Sequence, residues 1–233
     1  SGGFNVSDPT NPAYQPETLD AYEIGVKTDL LQKRLRVNVA GFYYDYSNIQ
    51  VARFTTGAID YYNGGEAEIY GLDLDLDAAI SRDLRLSGGF ELLHDRFTSF
   101  PDAEIGTPIP TGGTAETLGS AAGNRLPFSP DAVVDLSGDY THDYGPLHLA
   151  ANVTYAYNTG WFTEPDNRLR QSPFSTLNTS LTFSPRDGDI SVRLWAKNLT
   201  NAAVFTQDST AGFFDTASYA PPRTYGFTVR KAF

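Results

Sequence analysis

The chain has 233 residues, 40% hydrophobic and 19% charged, a balance that suits a folded protein and is too apolar for a disordered one. Its formal net charge of −11 leaves no basic surface to neutralise phosphates, which argues against a nucleic-acid partner. No apolar run reaches the roughly 18 residues of a membrane helix, no cysteine is available for disulfide or thiol chemistry, and no signal-peptide pattern opens the chain.

Nine segments alternate apolar and polar residues with a period of two, and helical periodicity is almost absent. The first, AYEIGVKTD, sets Tyr22, Ile24 and Val26 against Glu23, Gly25 and Lys27. The second, RLRVNVAGFYYDY, sets Leu35, Val37, Val39 and Tyr43 against Arg34, Arg36, Asn38 and Ala40. In the third, EIYGLDLDLDAAI, Tyr70, Leu72, Leu74 and Leu76 alternate with Gly71, Asp73, Asp75 and Asp77. The fourth, LRLSGGFELLHD, puts Leu84, Leu86, Phe90 and Leu92 opposite Arg85, Ser87, Gly89 and Glu91. DAVVDLSGDY, LHLAANVTYAY, TLNTSLTF and ISVRLWAKN follow in the same style. The ninth is RTYGFTVRKAF, with Tyr225, Phe227, Val229 and Phe233 on one face and only Lys231 breaking the row.

The connections alternate in length. Short ones fall at LLQK, SRD, THDYG and SPRDGD. Long ones run over about 47–66, 98–127, 158–173 and 200–222. Structureless loops beyond about 15 residues are uncommon in compact soluble domains. Membrane β-barrels carry them on the extracellular side, with short turns on the periplasmic side. Segments of about 9 to 12 residues suit a tilted membrane crossing. Tyr22, Tyr43, Tyr140, Tyr155, Tyr157, Phe183, Tyr225 and Phe233 sit near segment ends, as interfacial aromatic girdles do. The expectation is therefore an antiparallel transmembrane β-barrel segment, with its Leu/Val face toward lipid and its charged face toward a wet lumen. Periodicity alone leaves a soluble β-sandwich open.

The stretches PETLDAYEIGVKTDLLQKRLRVNVAGFYYDYSNIQV, YNGGEAEIYGLDLDLDAAI, VRLWAKNLTN and RTYGFTVRKAF, in this order, resemble the C-terminal half of a TonB-dependent outer-membrane receptor. The resemblance spans almost the whole chain. It implies an all-β fold, nine up-and-down strands of a barrel of about 22 strands that encloses an N-terminal plug. Residues 1–233 would be the C-terminal portion of that barrel. The plug, the segment that contacts TonB and about 13 strands would be absent. The missing methionine and the serine at position 1 fit a processed chain or a piece of a longer one. The terminal segment is similar to the family's assembly signal, carried here by Tyr225, Gly226, Val229 and Phe233 and read by the barrel assembly machinery. By the same resemblance the function is active import of a scarce ligand across the Gram-negative outer membrane with TonB-coupled energy. A ferric siderophore is the implied ligand, with vitamin, haem and oligosaccharide left open. A passive channel, an adhesin barrel or a soluble all-β binding domain are the competing readings.

Chemistry of other kinds is sparse. Asp73, Asp75 and Asp77 resemble the start of a calcium loop, but the required Gly and Glu are missing. On a strand the three carboxylates stand about 7 Å apart, too far to share one ion, so they read as a solvated face. His94 and Asp95 point to opposite faces of their strand. No hydrolase, zinc-protease or phosphate-loop motif occurs, and the glycosylation patterns at Asn152 and Asn178 lie inside strands. The chain reads as no enzyme, with no catalytic residue, metal ligand or cofactor. Aromatics concentrated in the long segments are the candidates for ligand recognition: Tyr61, Tyr62, Phe100, Trp161, Phe162, Phe213 and Phe214, with Phe54, Phe205 and Tyr219 beside them. Arg85, Arg193, Trp195 and Lys197 are expected on the lumen wall.

Overall fold

The computed structural model describes residues 1–5, 10, 12–55, 58–186, 188–210 and 214–231. Among them there is no helix. The strands are β1 (Thr18–Leu30), β2 (Leu35–Thr55), β3 (Ala58–Ala79), β4 (Leu84–Ser99), β5 (Ala103–Pro108), β6 (Thr114–Gly119), β7 (Ala132–Tyr144), β8 (Leu147–Asn158), β9 (Trp161–Phe162), β10 (Arg170–Gln171), β11 (Phe174–Pro185), β12 (Ile190–Lys197), β13 (Phe205–Thr210), β14 (Asp215–Tyr219) and β15 (Thr224–Lys231). Nine of them form one antiparallel meander in the order β1-β2-β3-β4-β7-β8-β11-β12-β15. The remaining six pair as three small hairpins, β5–β6, β9–β10 and β13–β14, inside the connections between the long strands.

Register turns the sequence alternation into two faces. Tyr22, Tyr43, Tyr70 and His94 stand opposite one another across the first four strands of the meander, and Ile24, Gly41, Leu72, Leu92 and Ala132 form the row beneath. Further along, Ala151, Leu181, Leu194 and Phe227 make another such row. A one-residue slip would turn Leu72, Leu74 and Leu76 to the side now held by Asp73, Asp75 and Asp77, so the pattern pins the pairing. Among the described residues no second layer covers this apolar face. Leu72 and Leu136, each flanked by neighbouring strands on both sides, keep 51% of their surface open. The Leu and Val side chains are therefore not packed into a dry protein interior.

At the short-turn end, Leu31, Gln32 and Lys33 all take positive φ, at 50°, 57° and 67°. Arg34 from the same turn donates to the carbonyls of Ala79 and Ile80, tying it to the next hairpin. Two boundaries differ from the expected ones. The short turn expected at THDYG lies at Gly145 and Pro146, because β7 continues to Tyr144. There Tyr140, His142 and Tyr144 stack along the apolar face, with His142 edge-on to Tyr144 at 4.5 Å between ring centroids. The connection expected over 47–66 is mostly strand. β2 and β3 run on past a bulge near Asn48 and stay paired to Thr55 and Ala58. Their extension is held by a small core of Ala67, Phe97, Phe100, Ala103 and Ala121, against which Tyr46, Ile49, Val51 and Tyr62 pack.

Candidate functional site

Two surfaces carry functional groups: the tier of connections at the long-loop end and the polar face of the meander. The tier is anchored by Asp95, near the outer end of β4. Its carboxylate is fully buried and accepts bonds from Arg125 Nη2 (2.7 Å), the Leu126 amide (2.6 Å) and Ser129 Oγ (2.5 Å). Arg125 also donates to Asp131 and to the Ser129 carbonyl. A buried carboxylate is tolerated only when paired and hydrogen-bonded, and three donors meet that need. Above it, Phe97 and Phe100 meet edge to face at 5.1 Å.

The connections are stitched to one another as well. Asn167 and Arg125 exchange bonds, Asn167 Oδ1 accepting from the Arg125 amide and Asn167 Nδ2 donating to its carbonyl. Arg168 lies at the centre of the upper part. It makes a two-toothed pair with Asp215 at 2.7 and 2.8 Å, with Asp166 at 3.7 Å and Glu164 at 4.0 Å. The bond to Asp215 raises the Arg168 pKa, so the guanidinium stays charged. The Gly106 amide donates to Asp166, which brings β5–β6 into the same network as β13–β14. Glu104 on β5 is pushed above the ordinary carboxylate range, by burial first and then by Glu116.

Tyr61 and Tyr62 line a recess of about 380 Å³ with Asn5, Tyr14, Arg53 and Asp60. Tyr61 is 43% exposed, and its backbone exchanges hydrogen bonds with the Asn5 side chain at 2.6 and 2.9 Å. The Arg53 guanidinium lies 4.4 Å over the Tyr62 ring and donates to the Tyr62 hydroxyl. Phe100 is 1% exposed. It fills the loop core and offers no ring to a ligand, because the tier is packed and not splayed. Trp161 and Phe162 are half-buried on β9, with Trp161 edge-on to Phe174 at 5.7 Å and Arg170 above Phe162 at 5.4 Å. Phe214 is 58% exposed. Phe213 and Phe233 lie outside the described residues, as does the Phe54 side chain. The predicted rings thus fall into separate groups: Tyr61 and Tyr62 at the recess, Phe100 beneath it, and Trp161 with Phe162 on β9. Asp95 escapes sequence reasoning because a lone Asp beside a His carries no signal until its strand partners are known.

On the polar face, Arg85, Arg193, Trp195 and Lys197 share the side that carries Arg36, Asp75 and Asp135. Arg85 pairs with Asp77 at 2.6 Å and Arg36 with Asp29 at 2.9 Å. Trp195 stands directly opposite Gly226 and donates to Thr228 Oγ1 at 3.3 Å. A Cβ on Gly226 would come within 2.6 Å of the indole, so glycine is required there by the ring. Among the described residues no three His, Asp or Glu side chains converge as a cation site.

The profile of the family described as "TonB dependent receptor-like, beta-barrel" matches residues 1–199. The chain belongs to that family. Members of the family are Gram-negative outer-membrane proteins, and the outer membrane is where this chain resides. The metal-pseudopaline receptor CntO of Pseudomonas aeruginosa is 30% identical over 144 residues, covering 62% of this chain and 18% of that protein. The ferric yersiniabactin uptake receptor FyuA of Yersinia pestis superposes over 100% of this chain and 33% of its own, with a TM-score of 0.80 and 20% identity. The siderophore receptor PiuA of Acinetobacter baumannii does so over 91% and 28%, at 0.70 and 21% identity. These likenesses carry the fold. The chain spans a third or less of the relatives it matches.

Proposed function

We propose that the chain is the C-terminal part of a TonB-coupled outer-membrane importer and that its ligand is a ferric siderophore or a similar metal chelate. One observation carries this most: a family match over residues 1–199 on a meander whose apolar face stays uncovered and whose polar face carries charge. On this reading the apolar face meets lipid acyl chains and the polar face lines the lumen. The strands preceding β1, a plug and the segment that contacts TonB belong to the region N-terminal to Ser1. The named relatives are receptors for metal–pseudopaline and ferric yersiniabactin, which supports the ligand class. Tyr61 and Tyr62, beside Arg53, are the residues of this chain best placed to meet the ligand. Trp161, Phe162 and Phe214 contribute the rim. Tyr225, Gly226, Val229 and Phe233 would be read by the barrel assembly machinery. The chain performs no chemical conversion.

Uptake of radioactive iron tests the reading. The full-length receptor is expressed in cells lacking their own siderophore receptors, and catecholate, hydroxamate and mixed-type ferric chelates are supplied in turn. Uptake of one class, abolished when TonB is deleted, is the expected result. Uptake indifferent to TonB would make the protein a passive channel. No uptake of any chelate, with the receptor present in the outer membrane, would remove the siderophore assignment.

A further inference from the structure

The polar face is divided by charge. Asp73, Asp75, Asp77, Glu91, Asp135 and Asp139 stand on β3, β4 and β7. β8 carries only His148 as a titrating group besides its tyrosines, and β11 carries no charged side chain at all. Beyond this neutral strip, β12 and β15 present Arg193, Lys197 and Arg230, and no acid shares their strands. These three line a recess of about 430 Å³ together with Thr182, Ser191, Trp195 and Thr228.

Their partners are neutral. Arg193 donates to Ser180 Oγ at 3.1 Å, and the Lys197 amine lies 6.0 Å over the Trp195 ring. Among the described residues none of the three has a carboxylate within ion-pair distance, whereas Arg36 and Arg85 on the same face each do. Ser191 pairs with Arg230 and Arg193 with Thr228, so the two guanidinium groups are diagonal neighbours across one strand pair. Such positions lie about 7–8 Å apart. Like charges at that spacing repel unless a counter-charge intervenes. Two guanidinium forks, an ammonium and hydroxyls around an aromatic floor are the chemistry of a carboxylate site.

We infer that Arg193, Lys197 and Arg230 form a carboxylate-binding seat in the lumen wall, and that its occupant is an Asp or Glu of the receptor's own N-terminal plug. This rests on the reading that a plug fills the lumen. The recess runs the length of β12, from Ser191 at the short-turn end to Lys197 at the end of the strand that meets the long connection. One further observation leaves room for that occupant in the full-length protein. The matched relatives extend far beyond this chain, with two-thirds or more of their length outside it. The acidic sector across the neutral strip then calls for cations on another side of the same plug, so the wall sets the plug's rotational position by sign.

Carboxyl footprinting of the full-length receptor in detergent tests this, with carbodiimide and glycine ethyl ester as the probe and mass spectrometry as the readout. Wild type is compared with the R193Q/R230Q variant, after heat-modifiable electrophoretic mobility has shown that the barrel is folded in both. One or two plug carboxylates, protected in wild type, should gain about tenfold or more in labelling rate when the charges are removed. A gain confined to carboxylates of other barrel strands would mean that the cations pair within the wall and would overturn the seat. Unchanged labelling everywhere would overturn it too. If plug carboxylates all label at the free-solution rate in wild type, the plug does not fill the lumen, and the underlying reading falls first.

Discussion

Arg125→Ala should open the base of the loop tier, and should do so far more than Asp95→Asn. Removing the guanidinium leaves the Asp95 carboxylate fully buried with only the Leu126 amide and the Ser129 hydroxyl as donors. Breaking one partner of a buried ion pair costs about 3–5 kcal/mol. The reverse change is milder. The carboxamide that Asp95→Asn introduces keeps an oxygen for the Leu126 amide, and Arg125, whose side chain is 20% exposed, retains Asp131 and the Ser129 carbonyl. That loss is about 1.5–3 kcal/mol, the range for a bond to a charged group. The assay is amide hydrogen exchange of the full-length receptor in detergent. The reporters are Phe97, Ala121 and Gly123, whose amides bond to Asn124, Phe100 and Phe97 carbonyls within the segment. At about 1.36 kcal/mol per decade, exchange should accelerate by roughly two to nearly four decades in Arg125→Ala. Asp95→Asn should give about one to two. Equal acceleration in the two variants would refute the argument that an orphaned buried carboxylate dominates the cost.

Two further predictions concern packing. Phe100→Ala should destabilise the tier by about 3–5 kcal/mol, as for other buried rings, seen as faster exchange at Ala121, while the amount of folded barrel in the outer membrane stays at the wild-type level. Gly226→Ala should lower the yield of folded barrel, and a Trp195→Leu change in the same chain should restore it, since the clash lies with the indole; a defect that Trp195→Leu leaves untouched would point to direct recognition of the glycine by the assembly machinery.

The long strands are readable in the sequence because alternation is a local property. Leu72, Leu74 and Leu76 name one face of β3 whatever lies beside them, and adjacent strands then align row on row. Two things are not local. The upper parts of β2 and β3 lack clean alternation at YYNGG, and they are strand because Ile49, Val51 and Tyr62 cover Phe100, some 40 to 50 residues away in sequence. Likewise a run of aromatics in a connection announces apolar surface without saying which side of it is wet. Tyr61 opens on the recess, while Phe100 is sealed by Ala103 and Ala121. Arg85, Arg193, Trp195 and Lys197 share the polar face because parity along each strand decides it.

The tier is graded in strength from base to tip, and that grading bears on how a ligand could move it. At the base, Asp95 is solvent-free and Phe97, Phe100, Ala103 and Ala121 exclude water, so opening there exposes both a charge and a core. At the tip, β13–β14 joins the rest through the Arg168–Asp215 pair, in which the Asp215 side chain is 38% exposed, through a marginal Thr114 contact at 3.5 Å, and through the Phe205 amide, which donates to Gln171 Oε1 at 2.7 Å. A charge-assisted pair of this kind contributes about 1.5–3 kcal/mol at most before solvent screening lowers it. The base therefore holds against energies that release the tip. A ligand bearing its own carboxylates or other anionic oxygens could compete with Asp215 for Arg168 and release the β14 end of one hairpin, with β13 still held at Gln171 and the strands beneath it undisturbed, a separation of moving from fixed parts that an evenly packed tier would not permit.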